Sequence, residues 1–387
     1  MNEPNGRNPH PAPASAAPDD PFRVMVVDDS AIIRGLLTRA LESDPELRVV
    51  VSVGNGQMAI NALQRQSVDV IVLDIEMPVM DGLTAIPKLI AVDPAVKIIM
   101  ASTLTQRGAE ISIKALQAGA ADYIAKPSST RELGAADVFK RNLVSQAKAL
   151  AAAARRAGTR NRPGLRGNEP FPPAPPPVRK PPAAVTLRPM PQLAHPDIVA
   201  IGSSTGGPQA LFDVLSHLKG GLRQPILITQ HMPATFTTIR AEHLSRQCGI
   251  ACAEAKDGEP LVGNRIYLAP GDFHMMLIER KGAAMLSITK DPPENFCRPS
   301  VDPMLRSIVR LYGRRVLGVI LTGMGRDGMK GCAEIANAGG VVFAQDEASS
   351  VVWGMPGAVA QAGIANAVLP LGEIGPAIRR LAMRTAA

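Results

Sequence analysis

The C-terminal half of the chain contains the residue types that nucleophilic catalysis needs. The stretch "VAIGSSTGGPQAL" holds Ser203, Ser204 and Thr205, and His231 and Asp327 follow in "ITQHMP" and "LTGMGRDG". A serine hydroxyl becomes a good nucleophile when a neighbouring histidine takes its proton, and a carboxylate fixes the tautomer of that histidine. The combination points to acyl transfer, with Ser204, His231 and Asp327 as candidate nucleophile, base and orienting acid.

The glycines around these hydroxyls are compatible with two different functions. Gly202 to Gly206 fits G-x-S-x-G, the turn that exposes a nucleophilic serine, but it also fits a glycine-rich turn that cradles phosphate. A dinucleotide site needs G-x-G-x-x-G and an acid at the end of the next strand, whereas here the spacing is G-x-x-x-G-G and that strand ends in Gln230-His231. The chain order serine, histidine, aspartate excludes the α/β-hydrolase family, although it does not exclude the mechanism.

Taken singly, each of these residues also fits an ordinary structural role. The turn could simply connect a strand with a helix, His231 could be a hydrogen-bonded strand-end histidine, and Asp327 could be a turn residue. His274, in "GDFHMM", is a rival base. Backbone N–H groups at the start of a helix suit an oxyanion, so that of Thr205 is a candidate donor, and Met324, which lies beside Asp327 in the chain, is a further one.

Short apolar runs place the candidate residues at the ends of strands. "DIVAIG", "PILITQH" and "VLGVILT" read as strands, and "PQALFDVLSHL" has the apolar spacing of a helix. Parallel sheets bind their ligands at the carboxyl ends of the strands. Residues 196–387 are therefore predicted to form a doubly wound, mainly parallel α/β domain whose active site lies at that edge.

Residues 22–150 show the same alternation of apolar runs and amphipathic stretches, which predicts a five-stranded parallel, doubly wound sheet. Polar residues again follow the runs: Asp28, Asp29, Asp74, Ser102, Thr103 and Lys126. Three carboxylates that converge at one edge need a hard cation such as Mg²⁺, and a lysine ammonium beside them suits phosphate. This edge is therefore predicted to bind phosphate and magnesium.

Over its whole length this first segment resembles the response-regulator receiver domain, which has a flavodoxin-like fold. The resemblance implies that Asp74 is the phosphoacceptor and that Asp28 and Asp29 hold Mg²⁺ together with it, Asp29 being the stronger ligand of the two. The residues implied to form the phosphorylation switch are Ser102, which contacts the phosphoryl group, Lys126, the signalling lysine, and Tyr123, the aromatic residue that changes rotamer. A sensor histidine kinase is the implied phosphodonor.

Six stretches of the second domain are similar to the catalytic domain of the chemotaxis protein-glutamate methylesterases: "IGSSTGGPQAL", "ITQHMP", "IYLAPGDFHM", "RPSVDPML", "GVILTGMGRDG" and "SSVVWGMP". The resemblance implies hydrolysis of glutamate γ-methyl esters on the cytoplasmic helices of chemoreceptors, with release of methanol, and deamidation of particular receptor glutamines. Ser204, His231 and Asp327 match the catalytic serine, histidine and aspartate, and no cofactor is implied for this reaction. The family usually has a small residue without a hydroxyl at the position of Ser203, which leaves Ser204 as the nucleophile.

The two resemblances together imply a response regulator whose output is an esterase. We expect the unphosphorylated receiver to cover the face that holds Ser204, and phosphorylation of Asp74 to shift the population towards an open state. A rival hypothesis is a second domain that only binds a partner.

Most of the net charge of +8 lies in one segment. Residues 151–195 contain eight Lys or Arg against one acid, Glu169, together with "PFPPAPPPVRKPP". This composition predicts a basic, proline-rich linker that is longer than usual for the family, so how closely the domains pack stays open. Since the charge is not in the second domain, a DNA-binding regulator is disfavoured and no nucleic-acid partner is expected.

The remaining features indicate the cellular setting. Residues 1–21 have no apolar core, so they are predicted to be a disordered leader rather than a secretory signal. No apolar run approaches the length of a membrane span, so membrane insertion is not expected. The four cysteines show no paired spacing, which predicts free thiols in a cytoplasmic protein. We expect a monomer.

Overall fold

The computed structural model describes residues 20–102, 105–126, 133–161, 185–191, 195–220 and 222–383. Nearly all of the predicted leader, most of the predicted linker and Thr103 lie outside these ranges. The described residues form two parallel sheets and one antiparallel hairpin, which confirms the predicted fold class. No helix within the described ranges is both long and apolar enough to cross a bilayer.

The first domain has a five-stranded parallel sheet with the strand order β2-β1-β3-β4-β5. Its strands are β1 (Phe22–Val27), β2 (Leu47–Val53), β3 (Val70–Asp74), β4 (Lys97–Ser102) and β5 (Asp122–Ala125). Its helices are α1 (Ala31–Leu41), α2 (Gly56–Leu63), α3 (Gly82–Val92), α4 (Gln106–Gln117) and α5 (Leu133–Asn161). Asp74 and Ser102 are the last residues of their strands, as the sequence predicted.

The second domain has a seven-stranded sheet in the order β14-β13-β12-β6-β7-β9-β8, and every described pair in it is parallel. Its strands are β6 (Ile198–Ser203), β7 (Ile226–Gln230), β8 (Cys252–Glu254), β9 (Ile266–Leu268), β12 (Val316–Ile320), β13 (Val341–Gln345) and β14 (Ala367–Leu369). The apolar run "MLSITK" lies in a separate antiparallel hairpin, which comprises β10 (His274–Arg280) and β11 (Ala283–Thr289).

The helices of the second domain connect these strands. They are α6 (Gly207–Ser216), α7 (Ala234–Cys248), α8 (Val301–Tyr312), α9 (Met329–Asn337), α10 (Met355–Gln361) and α11 (Leu371–Ala382). All residues of β6 are buried, and alternate residues contribute to different cores: Val199 and Ile201 to one, Ile198 and Ala200 to the other. A strand buried on both faces reads as a continuous apolar run, which is why β6 was predictable from sequence.

Helix α5 continues eleven residues past position 150, where the sequence placed the end of the first domain. Leu150, Ala151 and Ala154 are buried, so this part of the helix still packs on the sheet. Arg155 then bonds the buried carboxylate of Asp69 through Nε at 3.1 Å and stacks its guanidinium over Phe22. The start of the predicted linker is therefore part of the first domain's core.

The end of the predicted linker also has a defined place. Arg188 N donates to Ala365 O at 2.9 Å, and Asn366 Nδ2 donates to Pro189 O at 2.8 Å. These two hydrogen bonds attach the chain to the second domain before β6 begins.

We predict that Arg155→Ala destabilises the first domain, because it removes a charged donor from the buried carboxylate of Asp69. Hydrogen bonds to charged groups contribute about 1.5–3 kcal/mol, so calorimetry should show a lower unfolding midpoint for this domain. Lys140→Ala, on an exposed position of the same helix, is the matched control and should leave the midpoint unchanged. An unchanged midpoint for Arg155→Ala would contradict the assignment of this turn to the domain core.

Candidate active site and phosphoacceptor site

The two serines of the turn after β6 have different environments. Ser203 is completely buried, and its hydroxyl donates to Gln230 Oε1 at 2.6 Å. Ser204 is only partly buried, and among the described residues its hydroxyl has no hydrogen-bond partner. Ser204 is therefore the serine hydroxyl of the turn that is free to act as a nucleophile.

Backbone geometry makes this turn sharp. Gly206 has φ of 76°, and a Cβ on it would lie 2.6 Å from Val351 Cβ, so the position requires glycine. Helix α6 begins at Gly207, which places the N–H groups before it at a helix N-terminus. Within the described chain no carbonyl accepts from the N–H groups of Thr205 and Met324. Both predicted oxyanion donors are thus available.

The serine, histidine and aspartate each follow the end of one of three adjacent strands. Strand β6 lies between β12 and β7, and Ser203 pairs with Gln230, so Ser204 and His231 follow neighbouring strand ends. Asp327 comes from the loop after β12. His231 Nε2 donates to Asp327 Oδ2 at 2.8 Å. The structure therefore pairs His231 with Asp327 and places Ser204 at the end of the neighbouring strand.

The carboxylate of Asp327 is 2% exposed and is held by donors from four segments. Its donors are His231 Nε2, Val301 N, Ser300 Oγ, Asp302 N, Gly328 N and Asn295 Nδ2, all between 2.7 and 3.1 Å. Burial raises the pKa of Asp327, but His231 and the other donors lower it to about 2. Two of these N–H groups belong to the first turn of α8, where a negative charge is favoured. Asp327 stays ionised at any physiological pH.

The imidazole of His231 is oriented by a partner on each nitrogen. Nε2 is committed to Asp327, and Nδ1 lies 3.5 Å from the sulfur of Cys297. Burial lowers the pKa of His231, but Cys297 and the Asp327 carboxylate raise it by more. Nε2 is thus held by the carboxylate, whereas Nδ1 has among the described residues only the 3.5 Å contact with Cys297.

His274, the rival base, has both ring nitrogens engaged elsewhere. Its Nδ1 accepts from the N–H of Ser300 at 3.2 Å, and its Nε2 donates to Pro292 O at 3.1 Å. The ring is 1% exposed. His274 therefore accepts a hydrogen bond from Ser300, whose hydroxyl donates to Asp327, and so helps to position Ser300.

Several residues of this site were not found from the sequence. Asn295 bonds Asp327, Cys297 faces His231, and Gln230 links the turn to β7 by accepting from Ser203 and donating to Ser204 O. Cys297 and Asn295 lie far from their partners along the chain and have no motif spacing. The position of Ser300 could have been predicted from the sequence, because a serine just before an apolar helix is a typical N-cap.

The strand ends of the first domain bring the predicted acids together. Carboxylate oxygens of Asp28, Asp29 and Asp74 all lie within 4.8 Å of one another. Lys126 Nζ lies 2.6 Å from Asp28 Oδ2 and 2.6 Å from Asp74 Oδ1. Burial raises the pKa of Asp74 despite the lowering effect of Lys126. Three hard oxygen donors at this spacing fit a divalent cation such as Mg²⁺.

Tyr123, three residues before Lys126, contacts the second domain directly. Its ring stacks on Phe236 of α7 with centroids 4.3 Å apart and planes 8° from parallel. Met232, Phe236 and Ile239 share one apolar cluster with Tyr123 and helix α4 residues such as Ile113. This cluster joins the two domains immediately after His231.

A polar contact lies beside the aromatic one. The buried carboxylate of Asp122 accepts from Tyr123 N and Gln146 Nε2, at 2.9 and 3.2 Å, and lies close to Thr205 in the serine turn. Burial raises the pKa of Asp122 to about 6, and the nearby Thr205 hydroxyl acts in the opposite direction. On the other face of the first sheet, Val352 is buried in one cluster with Ile124 and Phe139. The first domain therefore covers the region around Ser204.

Comparison with known proteins identifies both domains. The family model of the CheB methylesterase matches residues 199–378, and that of the response regulator receiver domain matches residues 24–136. A protein from Azospirillum brasilense, named protein-glutamate methylesterase/protein-glutamine glutaminase, is 69% identical over 100% of both chains. The chain belongs to the CheB methylesterase family. It is an enzyme, a methylesterase with an N-terminal receiver domain.

A second relative carries a similar name. The protein-glutamate methylesterase/protein-glutamine glutaminase of group 2 operon from Rhodospirillum centenum is 64% identical over 100% of both chains. The crystal structure of the Thermotoga maritima CheB methylesterase catalytic domain covers 49% of this chain and 100% of that chain, at 39% identity and a TM-score of 0.47.

We predict that the imidazole of His231 titrates above its ordinary pKa of 6.5, because Cys297 and the Asp327 carboxylate raise the pKa by more than burial lowers it. The measurement is the NMR shift of the His231 ring against pH. Asp327→Asn should lower the midpoint, since it removes the negative charge, whereas Asp213→Asn on helix α6 is the control and should not. A wild-type midpoint below 6.5 would contradict the electrostatics described here.

Proposed function

We propose that this methylesterase hydrolyses glutamate γ-methyl esters on the cytoplasmic helices of chemoreceptors, releases methanol, and deamidates particular receptor glutamines. The names of its relatives supply the substrate class. The observation that carries the chemistry is the 2.8 Å bond between His231 and Asp327 beside the partly exposed Ser204. The reaction takes place in the cytoplasm, where the receptor helices are.

The geometry supports a serine acyl-enzyme mechanism. Ser204 Oγ attacks the ester carbonyl carbon while the neutral His231 ring takes the hydroxyl proton on Nδ1, the nitrogen that lies 3.5 Å from Cys297 Sγ in this structure, and Asp327 stabilises the imidazolium that forms. The N–H groups of Thr205 and Met324 bind the oxyanion of the tetrahedral intermediate. Collapse breaks the bond to the methoxy oxygen, which leaves as methanol with the proton from Nδ1. A water molecule then attacks the acyl-enzyme with the same base, and glutamate is released.

The receiver domain regulates this reaction in our proposal. A sensor histidine kinase supplies the phosphoryl group, Asp74 accepts it, and Ser102 and Lys126 bind its new oxygens. Asp28, Asp29 and Asp74 would hold Mg²⁺, which neutralises the charge that develops on the transferring phosphoryl group. Lys126, which now pairs with Asp28 and Asp74, would reorganise once Asp74 is modified.

The docking contact explains how such a change reaches the esterase. Tyr123 lies three residues from Lys126 and stacks on Phe236, which lies five residues from His231. Phosphorylation would favour a Tyr123 rotamer that is incompatible with this stack, so the population shifts towards an undocked state. Undocking exposes the Ser204 turn to the receptor helix.

We predict that Ser204→Ala lowers methanol release from methylated receptor fragments by about 10⁴-fold or more, because the nucleophile is lost. Ser203→Ala is the matched control: it removes only the buried bond to Gln230 and should keep activity within about tenfold. The result that would overturn the assignment is the reverse order of the two variants. No methanol from the wild type in any phosphorylation state would favour a domain that only binds a partner.

We predict that Tyr123→Ala raises ester turnover of the unphosphorylated enzyme about three- to tenfold, since an aromatic pair contributes about 0.5–1.5 kcal/mol beyond its buried area. Tyr123→Phe keeps the ring and should stay at the wild-type rate. Turnover is measured as methanol release without a phosphodonor. Equal rates for Tyr123→Ala and Tyr123→Phe would show that the stack does not restrain the enzyme.

A further inference from the structure

The turn that carries Asn295 and Cys297 presents an exposed aromatic ring beside the active site. Glu294 and Cys297 exchange two backbone hydrogen bonds, of 3.2 and 2.9 Å, across the turn. Its two central residues, Asn295 and Phe296, have φ of 53° and 62°. Positive φ at both central positions defines a type I′ turn, for which Asn-Gly is the preferred pair. Asparagine fits its position, but phenylalanine stands where glycine is favoured.

The conformation of Phe296 costs stability, and nothing in the fold is gained from its side chain. A bulky residue with positive φ is a backbone outlier. The side chain of Phe296 is 97% exposed, the highest value among the large apolar residues that the structure describes. A strained, fully exposed aromatic residue at a functional site points to a binding role rather than to packing.

The flanking residues fix the turn rigidly against the catalytic groups. Glu294 accepts two bonds from the guanidinium of Arg306, at 2.7 and 2.6 Å. Asn295 Nδ2 donates to Asp327 Oδ1 at 2.7 Å and to Asp302 Oδ2 at 3.0 Å. Cys297 Sγ lies 3.5 Å from His231 Nδ1. Phe296 therefore lies at the exposed tip of this turn. The residue before it, Asn295, contacts Asp327, and the residue after it, Cys297, lies beside His231.

We propose that Phe296 is a specificity-determining residue, which packs on an apolar side chain of the substrate helix next to the esterified glutamate. This inference rests on the proposed function. A receptor helix that packs in a bundle has apolar residues three or four positions from its polar ones, so an apolar side chain lies within one turn of the ester. Aromatic side chains are the usual anchors of such contacts, because they bury a large area at a small cost in entropy.

Phe296 stays exposed while the receiver covers the Ser204 turn, since its 97% exposure is that of the docked structure. The ring can therefore contact a receptor helix before the domains separate. The contact would lower KM for the helix and leave the chemical step unchanged, because it is made equally in the bound and transition states.

The test compares Phe296→Asn with the wild type on two substrates: a methylated helical receptor fragment and a short, non-helical peptide with the same ester. Phe296→Asn removes the ring and relieves the backbone, so it should fold with an equal or higher unfolding midpoint. We expect KM for the receptor fragment to rise about tenfold with kcat within twofold, while kcat/KM for the short peptide stays constant. Phe296→Trp, which keeps an aromatic ring, should keep the wild-type KM.

The chain offers a matched control in Val79, which is 85% exposed and has φ of 69° in the receiver domain. Val79→Asn relieves the same kind of strain and should leave both substrates unaffected. An unchanged KM for the receptor fragment in Phe296→Asn would overturn the proposal, as would an equal loss on both substrates. Failure of the proposed function itself looks different, because the wild type would then release no methanol from either substrate.

Discussion

A carboxylate that is withdrawn from water has to be compensated, because an unpaired buried charge costs several kcal/mol. Asp327 meets this requirement with six donors drawn from helix α8, the 294–297 turn, its own loop and His231. Each of these segments is thereby located relative to the end of β6. The need to satisfy one charge therefore positions His231, orients its second ring nitrogen towards Cys297, and keeps the strained 294–297 turn in place beside it.

The same region also joins the two domains. Helix α7 starts three residues after His231, and its Phe236 stacks on Tyr123 at the end of the receiver sheet. Asp122 of that strand lies close to Thr205 in the serine turn. One aromatic and one polar contact thus join the two domains. Only short stretches of chain separate the contacting residues from the phosphoacceptor site on one side and from the catalytic site on the other. Phosphorylation of Asp74 can shift the equilibrium between docked and undocked domains only if it changes the relative stability of these two states.

Much of this arrangement was predictable, because it depends on strand ends. Buried parallel strands are continuous apolar runs, so the residues that follow them, such as Asp74, Ser204 and His231, could be placed at the correct sheet edges. The chain order of serine, histidine and aspartate correctly excluded the α/β-hydrolase family. The resemblance of six stretches to methylesterases indicated the family, which the comparisons confirm.

Contacts between distant segments were not predictable from spacing. Asn295 and Cys297 look like ordinary loop residues, and only the fold brings them to Asp327 and His231. The buried turns of α5 beyond Leu150 were assigned to the linker, because an alanine-rich basic stretch shows little amphipathic pattern. The stack of Tyr123 on Phe236 depends on how two domains dock, and no local pattern encodes such a contact.

The measurement that tests the account most directly is the rate of methanol release from methylated receptor fragments with and without a small phosphodonor and Mg²⁺, in the wild type and in Asp74→Asn. The account predicts that the phosphodonor raises the wild-type rate and leaves Asp74→Asn at its basal rate. Equal stimulation of both proteins, or none of either, would contradict control of the Ser204 site by phosphorylation of Asp74.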